Sequence, residues 1–352
     1  MPEERVTILR PPEPDPKKAP IENVLEITEL SVLGPDIFTN ARQPWHPPGA
    51  RGVYGGAVIA HCLSAGQETV PEDFLPHSCH CYFLLAGSST IPILYYVERV
   101  RDGKSFATRT VQARQKGKCI FTTTISFSRA TPQRKEVRHA APLPEGVAPP
   151  ADDWDDEPGA LREGPLQSHR IEVTGINDPG TKPHERKCRQ WMRCRGKISG
   201  EAPGESVGNA KAHLNALAYM SDSYFIGTVS RIHGLWRYPF LPSQVPDLPA
   251  AQARMVSQLC EFEGMGAEPA GWEGRPQVGM MVSLDHSIYF HEPRRVRADE
   301  WMFTEMESPW SGEGRGVVMQ RIFAADGTLL ASCVQEGVIR LKQDEGEKSA
   351  KL

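Results

Sequence analysis

One order of segments occurs twice in this chain, and a repeat of that length constrains the architecture before any single residue does. In the first copy, short apolar segments at Leu25–Thr28 and Phe38–Arg42 read as strands. The run from Tyr54 to Thr69 reads as a helix of small and apolar residues, with Val58, Cys62 and Ala65 at helical spacing. Small residues on nearly every side predict a helix enclosed by other structure. Four runs rich in Ile, Val, Tyr, Phe and Thr follow, at Ser78–Leu84, Ile93–Val100, Ser105–Gln115 and Cys119–Ser128. The dipeptides Asp102-Gly103 and Lys116-Gly117 between them are hairpin chemistry. The second copy repeats this order. Strands are predicted at His169–Val173 and Cys188–Arg195, a helix at Ala210–Tyr224, and strands at Gly279–Phe290, Trp301–Glu307, Gly316–Phe323 and Thr328–Arg340, the last hairpin closing at Asp326-Gly327. Laying Tyr82-Phe83 on Tyr289-Phe290 and Gly117 on Gly327 aligns the copies with about three extra residues, which fit the Ser311–Gly314 loop. Each copy is thus an antiparallel sheet around one central helix, and two such units would pair as a pseudo-dimer.

The rest of the chain divides around these units. Residues 1–24 read as a flexible arm and 25–130 as the first domain. Residues 131–164, rich in Pro, Ala and charge, read as a linker too poor in apolar surface to order itself well. Residues 165–342 form the second domain and 343–352 a polar tail. A length of 352 residues accommodates two domains. The formal net charge of −4 gives no reason to expect a nucleic-acid partner. No apolar run reaches the roughly 18–20 residues a membrane span needs, and the polar N-terminus lacks a signal-peptide core. The eight cysteines show no CxxC spacing and read as reduced thiols. In the cluster His77-Ser-Cys79-His80-Cys81, only His77, Cys79 and Cys81 would share a strand face, spaced along it, so no metal site is expected. Nothing in the sequence calls for a cofactor.

Several motifs lie in one order over both units. Arg51-Gly-Val-Tyr-Gly-Gly, Thr69-Val-Pro, His77-Ser-Cys-His-Cys-Tyr-Phe-Leu and Val97–Arg109 resemble the first half of the acyl-CoA thioesterase II family. Ser283-Leu-Asp-His-Ser-Ile-Tyr-Phe-His291, Ala298-Asp-Glu-Trp301, Glu307-Ser308, Gly314-Arg-Gly316 and Val334–Arg340 resemble its second half. The resemblance implies an α+β double hotdog, two tandem units of a central helix wrapped by a curved antiparallel sheet. It implies hydrolysis of fatty acyl-CoA to the free acid and CoA. It also implies a catalytic set of Asp222, near the end of the second helix, Ser283, two residues before the aspartate of Leu-Asp-His, and Gln335 in Val-Gln-Glu-Gly. A departure from the family pattern is Ala57, where a glutamine usually follows the two glycines. The residues that bind the CoA moiety, the acyl-chain preference and the oligomeric state, a homo-oligomer among the options, are left open.

The residues themselves bear on this set. An acid at a helix C-terminus is electrostatically unfavourable, so Asp222 needs a reason to be there. On the repeat alignment Ser283 falls opposite Pro76 and Gln335 opposite Ile125, so polar groups in the second half replace apolar ones in the first. Asp285 and His286 resemble an acid–base dyad, but neighbours in a strand point to opposite faces, and Asp285 reads as structural, with an arginine as its expected partner. The absence of a Gly-x-Ser-x-Gly elbow argues against an α/β serine hydrolase, and Gly312-Glu-Gly-Arg-Gly316 reads as a hairpin loop rather than a phosphate loop. The alternatives are a hotdog enoyl-CoA hydratase or dehydratase, or a non-catalytic acyl-CoA-binding hotdog protein. Finally, the terminal Ala350-Lys351-Leu352 resembles the Ser-Lys-Leu address of peroxisomal enzymes. This implies a peroxisomal location with the import receptor as a partner, and a cytoplasmic one otherwise.

Overall fold

The computed structural model describes residues 11–45, 52–129, 135–151, 153–154, 164–199 and 207–343. The polar tail with its terminal tripeptide therefore lies outside the described residues, apart from Gln343.

The first unit contains β1 (Ile27–Glu29), β2 (Ile37–Asn40), α2 (Gly55–Gln67), β3 (Phe74–Phe83), β4 (Leu94–Asp102), β5 (Phe106–Gln115) and β6 (Lys118–Arg129). The second contains β7 (Leu166–Val173), β8 (Cys188–Cys194), α3 (Val207–Ser221), β9 (Val278–Ser283), β10 (Asp285–Phe290), β11 (Met302–Gly312), β12 (Arg315–Ala324) and β13 (Leu329–Leu341). The strands join one antiparallel sheet, ordered β1-β2-β4-β5-β6-β3-β10-β13-β12-β11-β8-β7, with β9 beside β13. The units meet where β3 pairs with β10. His80 faces its own repeat counterpart Ser287 there, and the two side chains are hydrogen-bonded at 3.0 Å. Helices α2 and α3 pack against each other inside the curved sheet. Helix α2 is buried from Gly56 onward except at Ser64, as its small residues on every side require. Lys116-Gly117 and Glu313-Gly314 both adopt positive φ at the tips of two-residue hairpins, which makes the Gly312–Gly316 stretch a turn between strands.

Four expectations change. The segment Gly279–Phe290 is two strands: the chain bends at Leu284, and β9 and β10 pair with successive stretches of β13. A bulge between Pro76 and Ser78 turns His77 away from Cys79 and Cys81, onto Ser126 at 2.8 Å, while Cys79 and Cys81 lie buried with their sulfurs 3.5 Å apart. The end of the N-terminal arm is helical, as α1 (Pro20–Val24), and buries Ala19 and Ile21 in the main core. The Pro-rich stretch between the units is anchored too. Its Leu143, Val147 and Trp154 pack on Trp191, Trp301, Phe303 and Phe323, an apolar patch on the outer face of the second half. A few large side chains suffice to hold a chain whose average composition is polar.

Between α3 and β9 lies an insertion with α4 (Gly227–Ile232) and α5 (Ala250–Phe262). It has a core of its own around Trp236 and Trp272, stacked with centroids 5.5 Å apart.

Candidate active site

Helix α3 ends at Ser221, and the next residue, Asp222, falls at the first turn of the opposite unit's helix. This junction depends on Gly55 and Gly56. A Cβ on Gly56 would lie 2.3 Å from the Tyr219 carbonyl oxygen, and one on Gly55 would lie 2.6 Å from Asp222 Oδ2. Only glycines allow the α3 backbone and the carboxylate this close. Tyr54, just before α2, tightens the junction, its hydroxyl donating to the Tyr219 carbonyl at 2.8 Å and lying 2.9 Å from Ser223 Oγ.

Gln335 comes from β13, fully buried on the inner face of the sheet. Its Nε2 lies 2.8 Å from Asp222 Oδ1 and 3.1 Å from His286 Nδ1. A carboxylate only accepts hydrogen bonds, so the amide nitrogen faces it and the second N–H goes to His286. His286 Nδ1 is then an acceptor, and its proton sits on Nε2. That nitrogen donates to Ser221 Oγ at 3.0 Å, and Ser221 donates to the Ala218 carbonyl at 2.9 Å. Every proton in this chain is assigned by its partners. Burial pushes the His286 pKa down to about 3, so the ring stays neutral.

Asp222 is 9 % exposed. Burial raises its pKa from 3.8 to about 6, opposed by the hydrogen bonds from Gln335 and from the Gly56 amide. The result is a carboxylate poised to take up a proton near neutral pH, which is what a general base requires. Gln335 Oε1 is buried with no partner among the described residues, an acceptor available to a water or a substrate.

The structure thus brings Asp222 and Gln335 into direct contact. Ser283 pairs with Gly337 on β13, two positions beyond Gln335 and therefore on the same face, but its hydroxyl bonds to neither residue. Asp285 and His286 do point apart, as alternation demands. Asp285, however, accepts the Glu336 backbone amide at 2.7 Å, and no arginine pairs with it among the described residues. The sequence analysis gives His286 no role, because strand alternation separates it from the neighbouring Asp285. Its counterpart on the repeat alignment is Cys79, and that polar-for-apolar contrast is the signal that could have singled it out.

Two helices face to face inside one continuous sheet, with a carboxylate–amide pair where they meet, define a double-hotdog enzyme. The comparisons say which. A family model described as the acyl-CoA thioesterase N-terminal domain matches residues 41–128, and one described as the C-terminal domain matches 143–339. Human acyl-coenzyme A thioesterase 8 is 35% identical over 343 residues, 92% of this chain and 91% of that protein. Peroxisomal acyl-coenzyme A thioester hydrolase 1 of Saccharomyces cerevisiae is 24% identical, over 92% and 95%. A solved acyl-CoA thioesterase II TesB2 from Mycobacterium marinum superposes with a TM-score of 0.61 at 27% identity, covering 94% of this chain and 99% of that one. The chain belongs to the acyl-CoA thioesterase II family. It is a thioester hydrolase of acyl-CoA with the double-hotdog fold.

Proposed function

We propose that the second half carries the chemistry, with Asp222 as general base, Gln335 and Ser283 orienting the attacking water, and the first half as its structural complement. The observation that carries this reading is the buried Asp222–Gln335 pair at 2.8 Å, with a carboxylate pKa raised to about 6. Ionised Asp222 takes a proton from water as its oxygen attacks the thioester carbonyl carbon. The tetrahedral intermediate collapses with cleavage of the C–S bond. The departing CoA sulfur recovers the proton from Asp222, leaving free acid and CoA thiol. The Gln335 amide cannot turn over without losing both of its donor bonds, so its Oε1 stays fixed for the water. Ser283, on the same face, supplies a hydroxyl that a bound thioester or water can reach. Asp222→Asn tests the base: kcat for palmitoyl-CoA, read by release of free thiol, should fall by about 10²–10⁴ in a folded protein. Near-normal turnover would remove Asp222 from the mechanism.

The same reading extends to location. The yeast relative is named as peroxisomal, and the terminal Ala350-Lys351-Leu352 has the small-basic-leucine form that the import receptor reads. A fluorescent protein fused to the N-terminus should give punctate signal that is lost on deleting Leu352. Diffuse signal from the intact chain would refute the address while leaving the hydrolase untouched.

A further inference from the structure

The inner face of the second half carries a polar feature that the mechanism above leaves unused. Gln335 lies opposite Val318, and the next inward residue on β12 is Gln320. Gln320 lies opposite Met306, and the next inward residue on β11 is Thr304. Thr304 faces Gln190 of β8, which faces Arg170 of β7. Gln335, Gln320, Thr304, Gln190 and Arg170 thus form one diagonal across neighbouring strands, starting at the candidate site. The first four are at most 2% exposed and the Arg170 side chain is 10% exposed. Every one has a buried polar atom without a hydrogen-bond partner among the described residues: Gln335 Oε1, both amide atoms of Gln320, Thr304 Oγ1, Gln190 Nε2 and Arg170 Nη1, the last ion-paired with Glu263 at 4.0 Å.

The first half supplies the control. The same walk there, along the same strand pairings, meets Ile125, Val111, Tyr95 and Phe38 before it ends at Glu29. The equivalent sheet thus closes over its helix with mainly apolar and aromatic residues on this line, the Tyr95 hydroxyl being its one buried polar atom without a partner among the described residues. Buried polar groups left unpaired weaken a fold, so a whole line of them needs partners. At the far end a cavity of about 20 Å³ is bordered by Arg170, Gln190, Met306, Tyr224, Arg231 and Glu263. That space holds one water and is too small for a phosphate or an acyl chain. An acyl chain would in any case be poorly solvated by amides and a guanidinium.

We infer that this diagonal binds a file of water running from the cavity at Arg170 to Gln335, and that it replaces the water consumed in each turnover. The inference rests on the hydrolytic reading above. It adds to that reading a route by which the nucleophile reaches Gln335 along the sheet. Gln320 and Thr304 are then the middle of the path, and Arg170 stands at its outer end.

The test combines crystallography with kinetics. A high-resolution crystal structure of the full chain should show ordered waters bonded to Gln320, Thr304 and Gln190. The double variant Gln320→Met, Thr304→Val keeps side-chain volume while removing the hydrogen-bonding atoms. It should lose those waters and lower kcat roughly tenfold or more at unchanged KM, the signature of a defect after substrate binding. Gln190→Met, farther from the core of the site, provides the same readout if the double variant does not fold. Side chains bonded directly to one another with no water between them would overturn the inference, as would wild-type kcat in a variant shown to be dry. Failure of the base assignment is separate, since it would appear as turnover retained by Asp222→Asn whatever the diagonal holds.

Discussion

At the scale of residues, Asp222 is stabilised by its neighbours and penalised by its burial, and the penalty is larger. Its pKa in the folded protein is about 6 against an ordinary 3.8. Between those values the folded state holds a proton that the unfolded chain releases, so the group's contribution to stability falls as pH rises through that window and is constant above it. Asp222→Asn removes the penalty of a buried charge and keeps an acceptor for Gln335, while losing the one for the Gly56 amide. At pH 7 it should therefore unfold at higher denaturant than wild type, by up to roughly 3 kcal/mol, and the gain should fade near pH 4. Equal stability at both pH values in urea titrations would contradict the burial argument. On the proposed mechanism activity has the opposite sign, because a general base works only when ionised. The rate should climb with pH through about 6 and level off above it. Gln335→Ala deletes a hydrogen bond that lowers this pKa. It should shift the acidic limb of the kcat/KM profile to higher pH, besides lowering kcat by about 10–10³. A profile with an unmoved limb would show that the amide does not tune the carboxylate.

At the scale of elements, the decisive piece is the start of α2. Its Gly55-Gly56 pair lets the end of α3 approach closely enough for the Gly56 amide to donate to the Asp222 carboxylate. The two glycines should fail differently. Ala at position 56 meets a backbone carbonyl at 2.3 Å, which cannot move alone, so Gly56→Ala should destabilise the fold by about 1–3 kcal/mol. Ala at position 55 meets the Asp222 carboxylate and the Phe83 ring, both side chains that can give way. Gly55→Ala should therefore lower kcat far more than stability. Thermal melts beside thiol-release assays separate the two, and a similar loss of stability in both variants would reject this distinction. The glycines were visible in the sequence as part of a family motif, but the reason for them was not. It lies in a helix some 160 positions away.

At the scale of the whole molecule, the units are one sheet rather than two neighbours. Pairing of β3 with β10 satisfies the edge of each, and the candidate site draws on α2 from one unit and on α3, β10 and β13 from the other. A chain cut between the units should give a second half that exposes the β10 edge and aggregates or stays inactive. Mixing it with the first half should restore activity, measurable as thiol release against the mixing ratio. A second half that is soluble and fully active alone would show that the first unit is dispensable.

How much of this could be read beforehand follows from the range of each interaction. The strands, the enclosed helices, the hairpin glycines and the duplication rest on periodicities of a few residues, and the residues carry them locally. The contrast between Gln335 and Ile125 was visible because a repeat supplies its own reference. The insertion at 226–277 was not legible, because its core of Trp236, Trp272 and Cys260 joins residues with no common period. Composition also misled at the Pro-rich stretch, where Leu143 and Trp154 find a partner surface that no average predicts. Only the tertiary structure set Asp222 against the start of α2, gave His286 its place beside Gln335 and aligned the buried polar residues from Gln335 to Arg170. A strand's sequence specifies which side chains share a face, whereas which strands lie side by side, and which helix covers them, is decided by packing between segments far apart in the chain.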